Sequence, residues 1–214
     1  ASNATRVALV GDSHSASYLA GFLPLLKSRN IRLDTYMGKQ CRWGDSYRPG
    51  QANCWARTQG ITAGLSRTRY DIVVVSHLRW KGDSAEQAER DATSRAAEWR
   101  KVTQATGAEI VAFLDYPYLN AFGCLQTATF LNKLTCSESR SAVMQGVDAG
   151  PRTVKKVGAK AHLFDPDSKG LFCRNDRCPY VTGNVAMYRD NQHLTATYSR
   201  SIAPTVLNAV LAYR

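Results

Sequence analysis

Five short runs of β-branched and apolar residues are spaced along this chain, with stretches of helical pattern between them. The runs are residues 5–10, Ile31–Met37, residues 70–76, residues 109–114 and Ala161–Phe164. The third, Tyr-Asp-Ile-Val-Val-Val-Ser, is the strongest strand signal in the sequence. Helical patterns cover residues 16–27, with Leu19, Phe22, Leu23 and Leu26 on one face, and residues 84–106, bounded by Gly107. Two more cover residues 139–157, which Gly150-Pro151 must kink or split, and 195–213, which contains Pro204. Strand and helix alternate along the whole chain. This predicts an α/β fold, a three-layer α/β/α sandwich with about five parallel strands in the flavodoxin-like order 2-1-3-4-5. The least regular stretches, 38–60 and 116–138, are longer than ordinary loops and each holds a cysteine pair.

The chain has 214 residues, 44% of them hydrophobic and 21% charged, which suits one sizeable core. Its apolar runs are strand-sized, far short of the ~20 residues of a spanning helix. It begins Ala1-Ser2-Asn3-Ala4, without Met. Residues 1–4 read as a tag remnant, and residues 5–214 as a single domain cut from a longer protein. The net charge of +11 is spread along the chain without a Lys/Arg block. Nucleic acid is therefore not the expected partner, and an anionic cell-surface polymer or membrane surface fits better. A merely solvated basic surface is the plain alternative.

The six cysteines fall into local pairs. Pairing as Cys41–Cys54, Cys124–Cys136 and Cys173–Cys178 implies three disulfides and an oxidising compartment. The alternative is six reduced thiols. No CxxC occurs, and the four histidines are not spaced with the cysteines as ligand sets, so no metal is expected.

Two short motifs carry chemistry. Gly11-Asp12-Ser13-His14 closes the first strand and opens the first helix, at the carboxyl end of a parallel sheet where ligands bind. Ser13 there is either a nucleophile or a plain helix N-cap. Asp190-Asn191-Gln192-His193 precedes the last helix. A serine hydroxyl needs a base within reach, and an imidazole needs a carboxylate to fix its tautomer. Asp190 lies three residues before His193 and can supply it locally. His77 is a rival base with no carboxylate placed beside it. No Gly-x-Ser-x-Gly surrounds Ser13, and neither a P-loop nor a dinucleotide fingerprint follows the first strand, so no cofactor is implied.

Taken together, Gly11-Asp12-Ser13 and Asp190 with His193 resemble the first and last blocks of the SGNH hydrolase superfamily, the GDSL-like serine hydrolases. The resemblance narrows with Leu9 to His14, the Gly38-Lys39-Gln40-Cys41 turn, Cys173 through Cys178-Pro179, and Tyr188 to Thr195. It points to the extracytoplasmic SGNH domain fused to bacterial integral-membrane acyltransferases of family three. This implies a Ser13–His193–Asp190 triad, an oxyanion hole from the amides of Ser13 and Gly38, and a membrane acyltransferase domain in the same full-length chain. It further implies tethering to the bacterial cell membrane, an acyl donor, and a carbohydrate acceptor in the cell envelope.

One departure stands out. The family's third block offers an Asn, but here the stretch reads Ser76-His77-Leu78-Arg79-Trp80. Losing an oxyanion donor costs about 10²–10³ in rate in enzymes built to use it. Arg79, Trp80 and His14 are candidates for substrate contact. Three functions follow: a serine O-acyltransferase working through an acyl-Ser13 intermediate, with acetyl the expected group; a carbohydrate or lipid esterase; or a non-catalytic module binding an envelope polymer. The isolated fragment is expected to be monomeric.

Overall fold

Strand β1 (Thr5–Gly11) alternates its side chains between two separate cores, with Val7 and Leu9 on one face and Ala8 and Val10 on the other. A strand apolar on both sides belongs in the middle of a parallel sheet covered by helices on both faces. The computed structural model, which describes residues 3–127 and 136–214, shows that arrangement. Residues 1 and 2 of the expected tag remnant, and part of the irregular stretch 116–138, lie outside the described residues. β3 (Ile72–Ser76) and β4 (Glu109–Phe113) divide their residues in the same way. With β2 (Ile31–Met37) and β6 (Ala161–Phe164) they form one five-stranded sheet, ordered β2-β1-β3-β4-β6 and parallel throughout. This is the expected order, its fifth strand being β6 because a short β5 (Ser137–Ser139) intervenes in sequence.

One face is covered by α2 (Leu19–Phe22) and α8 (Ala196–Leu211), through Tyr18, Phe22, Ile202, Val206 and Val210. The other is covered by α3 (Ala52–Arg67), α4 (Ala85–Thr106) and α7 (Gly150–Val157), through Ile61, Leu65, Trp99 and Val102. Burying each such side chain contributes roughly 1.5–3 kcal/mol. No described helix is long and apolar enough to cross a membrane.

Local signals explain most boundaries. Ser84 caps α4 by accepting the Gln87 N–H, and Gly107 ends it in the left-handed conformation at φ 76°. Thr195 caps α8 by accepting the Tyr198 N–H, and Pro204 sits inside that helix without ending it. Three expectations need correction. The helix expected over 16–27 is broken into α1 (Ser13–Ala16), α2 and a 3₁₀ turn (Leu23–Leu25) around Pro24, which has no N–H to continue the ladder. The pattern over 139–157 splits into α6 (Arg140–Val143) and α7, and Gly150-Pro151 opens α7, where the missing N–H costs nothing. α3 occupies part of a stretch that reads as irregular.

The three cysteine pairs are bonded as expected, Cys41–Cys54, Cys124–Cys136 and Cys173–Cys178, with Cα separations of 5.1, 5.9 and 4.0 Å. The first ties the loop after β2 to the start of α3. The second joins α5 (Gly123–Thr127) to the segment before β5. The third closes the turn before β7 (Arg177–Pro179), which pairs antiparallel with β5.

Candidate active site

The carboxyl ends of β1 and β3 approach so closely that only glycine fits between them. Gly11 has φ 152°, and a Cβ built there falls 1.9 Å from the Ser76 carbonyl oxygen. The next residue, Asp12, is buried and caps α1. One carboxylate oxygen accepts the His14 N–H at 2.9 Å, and the other accepts the Leu78 N–H at 2.9 Å. Asp12 therefore fastens the loop after β3 to the loop after β1. Burial pushes its carboxyl above the ordinary range, opposed by His14 and the two N–H donors.

Ser13 follows at the first position of α1, half-buried, on the wall of an open cleft of about 540 Å³. His193 lies on the same wall. Its ring is set by a local turn. Asp190 Oδ1 accepts the N–H groups of Gln192 and His193 at 2.9 and 2.8 Å, and the carboxylate lies 2.8 Å from His193 Nδ1 through Oδ2. Burial raises the Asp190 pKa, but these donors and the imidazole outweigh it and hold the group below its ordinary value. A carboxylate can only accept, so Nδ1 carries a proton in this contact. No hydrogen bond joins His193 to Ser13 among the described residues.

Several expected site residues sit differently. Gly38 donates its N–H to the Gly11 carbonyl at 2.8 Å, extending the β1–β2 ladder, so that amide already has a partner. The N–H groups of Lys39 and Gln40, in the turn that follows, have none among the described residues, and both residues line the cleft. His14 is 0% exposed and does not reach the cleft. Its Nδ1 is 2.6 Å from Asp115 Oδ1, and its ring stacks on Tyr116 with centroids 4.4 Å apart. It meets the His193 ring edge-on at 5.8 Å. His14 therefore stands behind the cleft wall. Burial works against a charged His14, but Asp115 outweighs burial and holds its pKa above the ordinary 6.5. Asp115 also accepts the Arg79 N–H at 2.7 Å.

Arg79 lines the cleft, yet its Nε and Nη2 are turned to the Gln145 carbonyl and Met144 sulfur at 3.0 and 3.1 Å. Trp80 lines the cleft too, with the guanidinium groups of Arg42 and Arg48 5.5 and 5.9 Å from its ring centroid. Those arginines belong to a partly buried ionic network with Asp45, Asp83, Asp91 and Arg95. His77 is buried, and among the described residues neither ring nitrogen has a partner. Burial, with Arg95 and Arg42 nearby, holds its pKa well below 6.5, so it is neutral. Sequence reasoning missed Lys39, Gln40, Lys81, Tyr118 and Gln192 on the cleft wall, because they come from loops with no periodic pattern.

The family model for the "SGNH domain (fused to AT3 domains)" matches residues 1–208. The chain belongs to this SGNH domain family. The fold agrees with two solved structures. The periplasmic domain of a lipopolysaccharide acetyltransferase from Salmonella ser. Paratyphi A superposes with a TM-score of 0.75 at 14% identity, over 98% of this chain and 84% of that one. The salicylyl-acyltransferase SsfX3 from a tetracycline biosynthetic pathway superposes at 0.53 and 11% identity, over 99% of this SGNH domain and 57% of that chain. No curated protein sequence matches the SGNH domain.

Proposed function

We propose that this SGNH domain is a serine O-acyltransferase that moves an acyl group, acetyl in the first instance, onto a hydroxyl of a cell-envelope carbohydrate. The observation that carries this reading is that His193, held by Asp190, lines the same cleft as Ser13. Family membership and two acyltransferases among the structural neighbours support it.

In this mechanism His193 Nε2 takes the Ser13 proton as Oγ attacks the carbonyl carbon of the donor ester or thioester. The tetrahedral intermediate collapses, the bond to the leaving group breaks, and His193 returns the proton to that group. Acyl-Ser13 remains. An acceptor hydroxyl then gives its proton to His193 and attacks the acyl carbon; the bond to Ser13 Oγ breaks, His193 passes that proton to Oγ, and Ser13 is freed as the new ester forms. Asp190 holds the imidazole in the required tautomer and offsets the charge it gains. The oxyanion is met by the Ser13 N–H and by an amide of the Lys39-Gln40 turn, in place of Gly38 and of the absent Asn. Residues 5–214 act as one domain of a longer chain that includes a membrane acyltransferase part, on the extracytoplasmic side of the membrane. The disulfides suit that compartment.

The test is p-nitrophenyl acetate turnover beside Ser13→Ala, with mass spectrometry of the intact protein. An acetyl adduct and turnover that both vanish in Ser13→Ala are expected. Turnover that survives the substitution would sink the reading. Water in place of the sugar hydroxyl makes the same site an esterase, and product analysis with and without acceptor separates the two.

A further inference from the structure

Lys39 and Lys81 line the cleft that holds Ser13 and His193, and both are exposed. The lysines that form ion pairs among the described residues are Lys101, Lys156 and Lys160, all elsewhere. The Lys39 side chain has no partner among the described residues. Lys81 donates to Asn120 Oδ1 and lies over the Tyr118 ring, 4.1 Å from its centroid. Both contacts place the ammonium without cancelling its charge. Arg79, a third cation on the wall, likewise meets neutral acceptors, the Gln145 carbonyl and the Met144 sulfur.

The cleft offers no exposed negative charge in return. Asp12 is the one carboxylate among its described lining residues. It is 1% exposed, and its two oxygens accept the His14 and Leu78 N–H groups. Sheet topology sets the cations around the serine. β2, β1 and β3 are neighbours in that order. The loop after β2 carries Lys39 and the loop after β3 carries Lys81, so the two loops flank the end of β1, where Ser13 stands. We propose that these two lysines hold an anionic group of the acceptor, which is therefore an acidic saccharide whose rings carry carboxylate or phosphate groups. The inference rests on the acyltransferase reading and names the class of its second substrate.

The rest of the wall favours a saccharide as the carrier of that charge. Trp80 and Tyr118 supply aromatic rings for the C–H face of a pyranose, and Gln40 and Gln192 supply amides for its hydroxyls. The cleft volume of about 540 Å³ is ordinary for a ligand site. An ammonium carries three N–H groups on a flexible stem, so it can follow an anionic substituent on whichever ring bears it. Exposed charges of one sign attract their ligand over about 10 Å at 0.1 M salt, and over less as salt is added. An affinity set in this way falls with ionic strength.

The experiment titrates the unmutated chain by calorimetry with hexagalacturonate, pentamannose 6-phosphate and uncharged maltohexaose, at low and high salt. At least one acid should bind about tenfold tighter than maltohexaose at low salt and lose that advantage at high salt. Lys39→Gln and Lys81→Gln should each weaken its binding about threefold, the size of one exposed ion pair, and the double variant about tenfold. Lys27→Gln removes an exposed charge before β2, at the amino end of the sheet, and should bind as the unmutated chain does. Unchanged melting temperatures establish that the variants fold. No binding of either acid, or equal affinity for the acids and maltohexaose, overturns the proposal. Equal weakening by Lys27→Gln overturns it too, because net charge alone would then be responsible. Coenzyme A tests the donor as owner of the anion. If it binds tighter than either acid and depends on the same lysines, the cations serve the donor and the acceptor assignment falls. Failure of the acyltransferase reading shows separately, as the absence of an acetyl-Ser13 adduct in the unmutated chain.

Discussion

His14 Nδ1 lies 2.6 Å from Asp115 Oδ1, and neither side chain is accessible to solvent beyond 1%. The pair joins α1 to the loop after β4, and through the Arg79 N–H it reaches the loop after β3 as well. Asp115→Asn removes the charge that stabilises the protonated imidazole. A loss of about 3–5 kcal/mol is expected, as for other broken buried pairs, and is measured by urea unfolding. The pH dependence has a defined sign. The folded pKa of His14 lies above 6.5, so its contribution is complete below 6.5 and is lost as pH rises through the folded value. The alkaline fall in melting temperature should flatten in His14→Gln.

His77 predicts the opposite slope. Its folded pKa lies well below 6.5, so the unfolded chain takes up a proton first, and stability falls as pH drops below 6.5. His77→Leu removes two buried nitrogens that have no partner. The variant is expected to melt at or above the temperature of the unmutated chain at neutral pH, with a flatter acid limb. A steeper acid limb would contradict the assignment of a neutral ring.

Asp190→Asn keeps the local turn but favours the wrong tautomer of His193. A fall of about 10³–10⁴ in kcat is expected for p-nitrophenyl acetate, with little change in KM. Steady-state kinetics beside Ser13→Ala checks it, because two members of one unit lose activity non-additively.

Cys41→Ser with Cys54→Ser opens a loop with a sequence separation of 13 residues. The expected loss is about 3 kcal/mol from freedom regained by the unfolded chain. Chemical unfolding of the variant beside the unmutated chain reads the effect.

The sequence reported the sheet well because its central strands are apolar on both faces. Ile31–Met37 and Ala161–Phe164 have the expected boundaries, and Ser84 with Gly107 mark both ends of α4. Helix α3 escaped because half of its buried positions are polar. Thr58 accepts the Gly44 N–H, and Thr62 accepts from Trp43 and donates to Glu98, so no apolar stripe appears. The Asp190–His193 contact was legible because the partners stand only three positions apart. The His14–Asp115 contact was not, since a sequence separation of 101 divides them and no local pattern carries that information. The hydrogen bond from Gly38 to Gly11 was hidden for a related reason, as it depends on how far the β1–β2 ladder extends.

His193 lies three residues before the start of α8, and α8 packs on α2, only a few residues beyond Ser13. The two halves of the proposed reaction centre therefore come from opposite ends of this domain's sequence. A chain leaving the ribosome or a translocon holds its serine long before it holds its base. In the proposed mechanism, competence then requires α8 as well as β1, and turnover would report that both ends of this domain are in place.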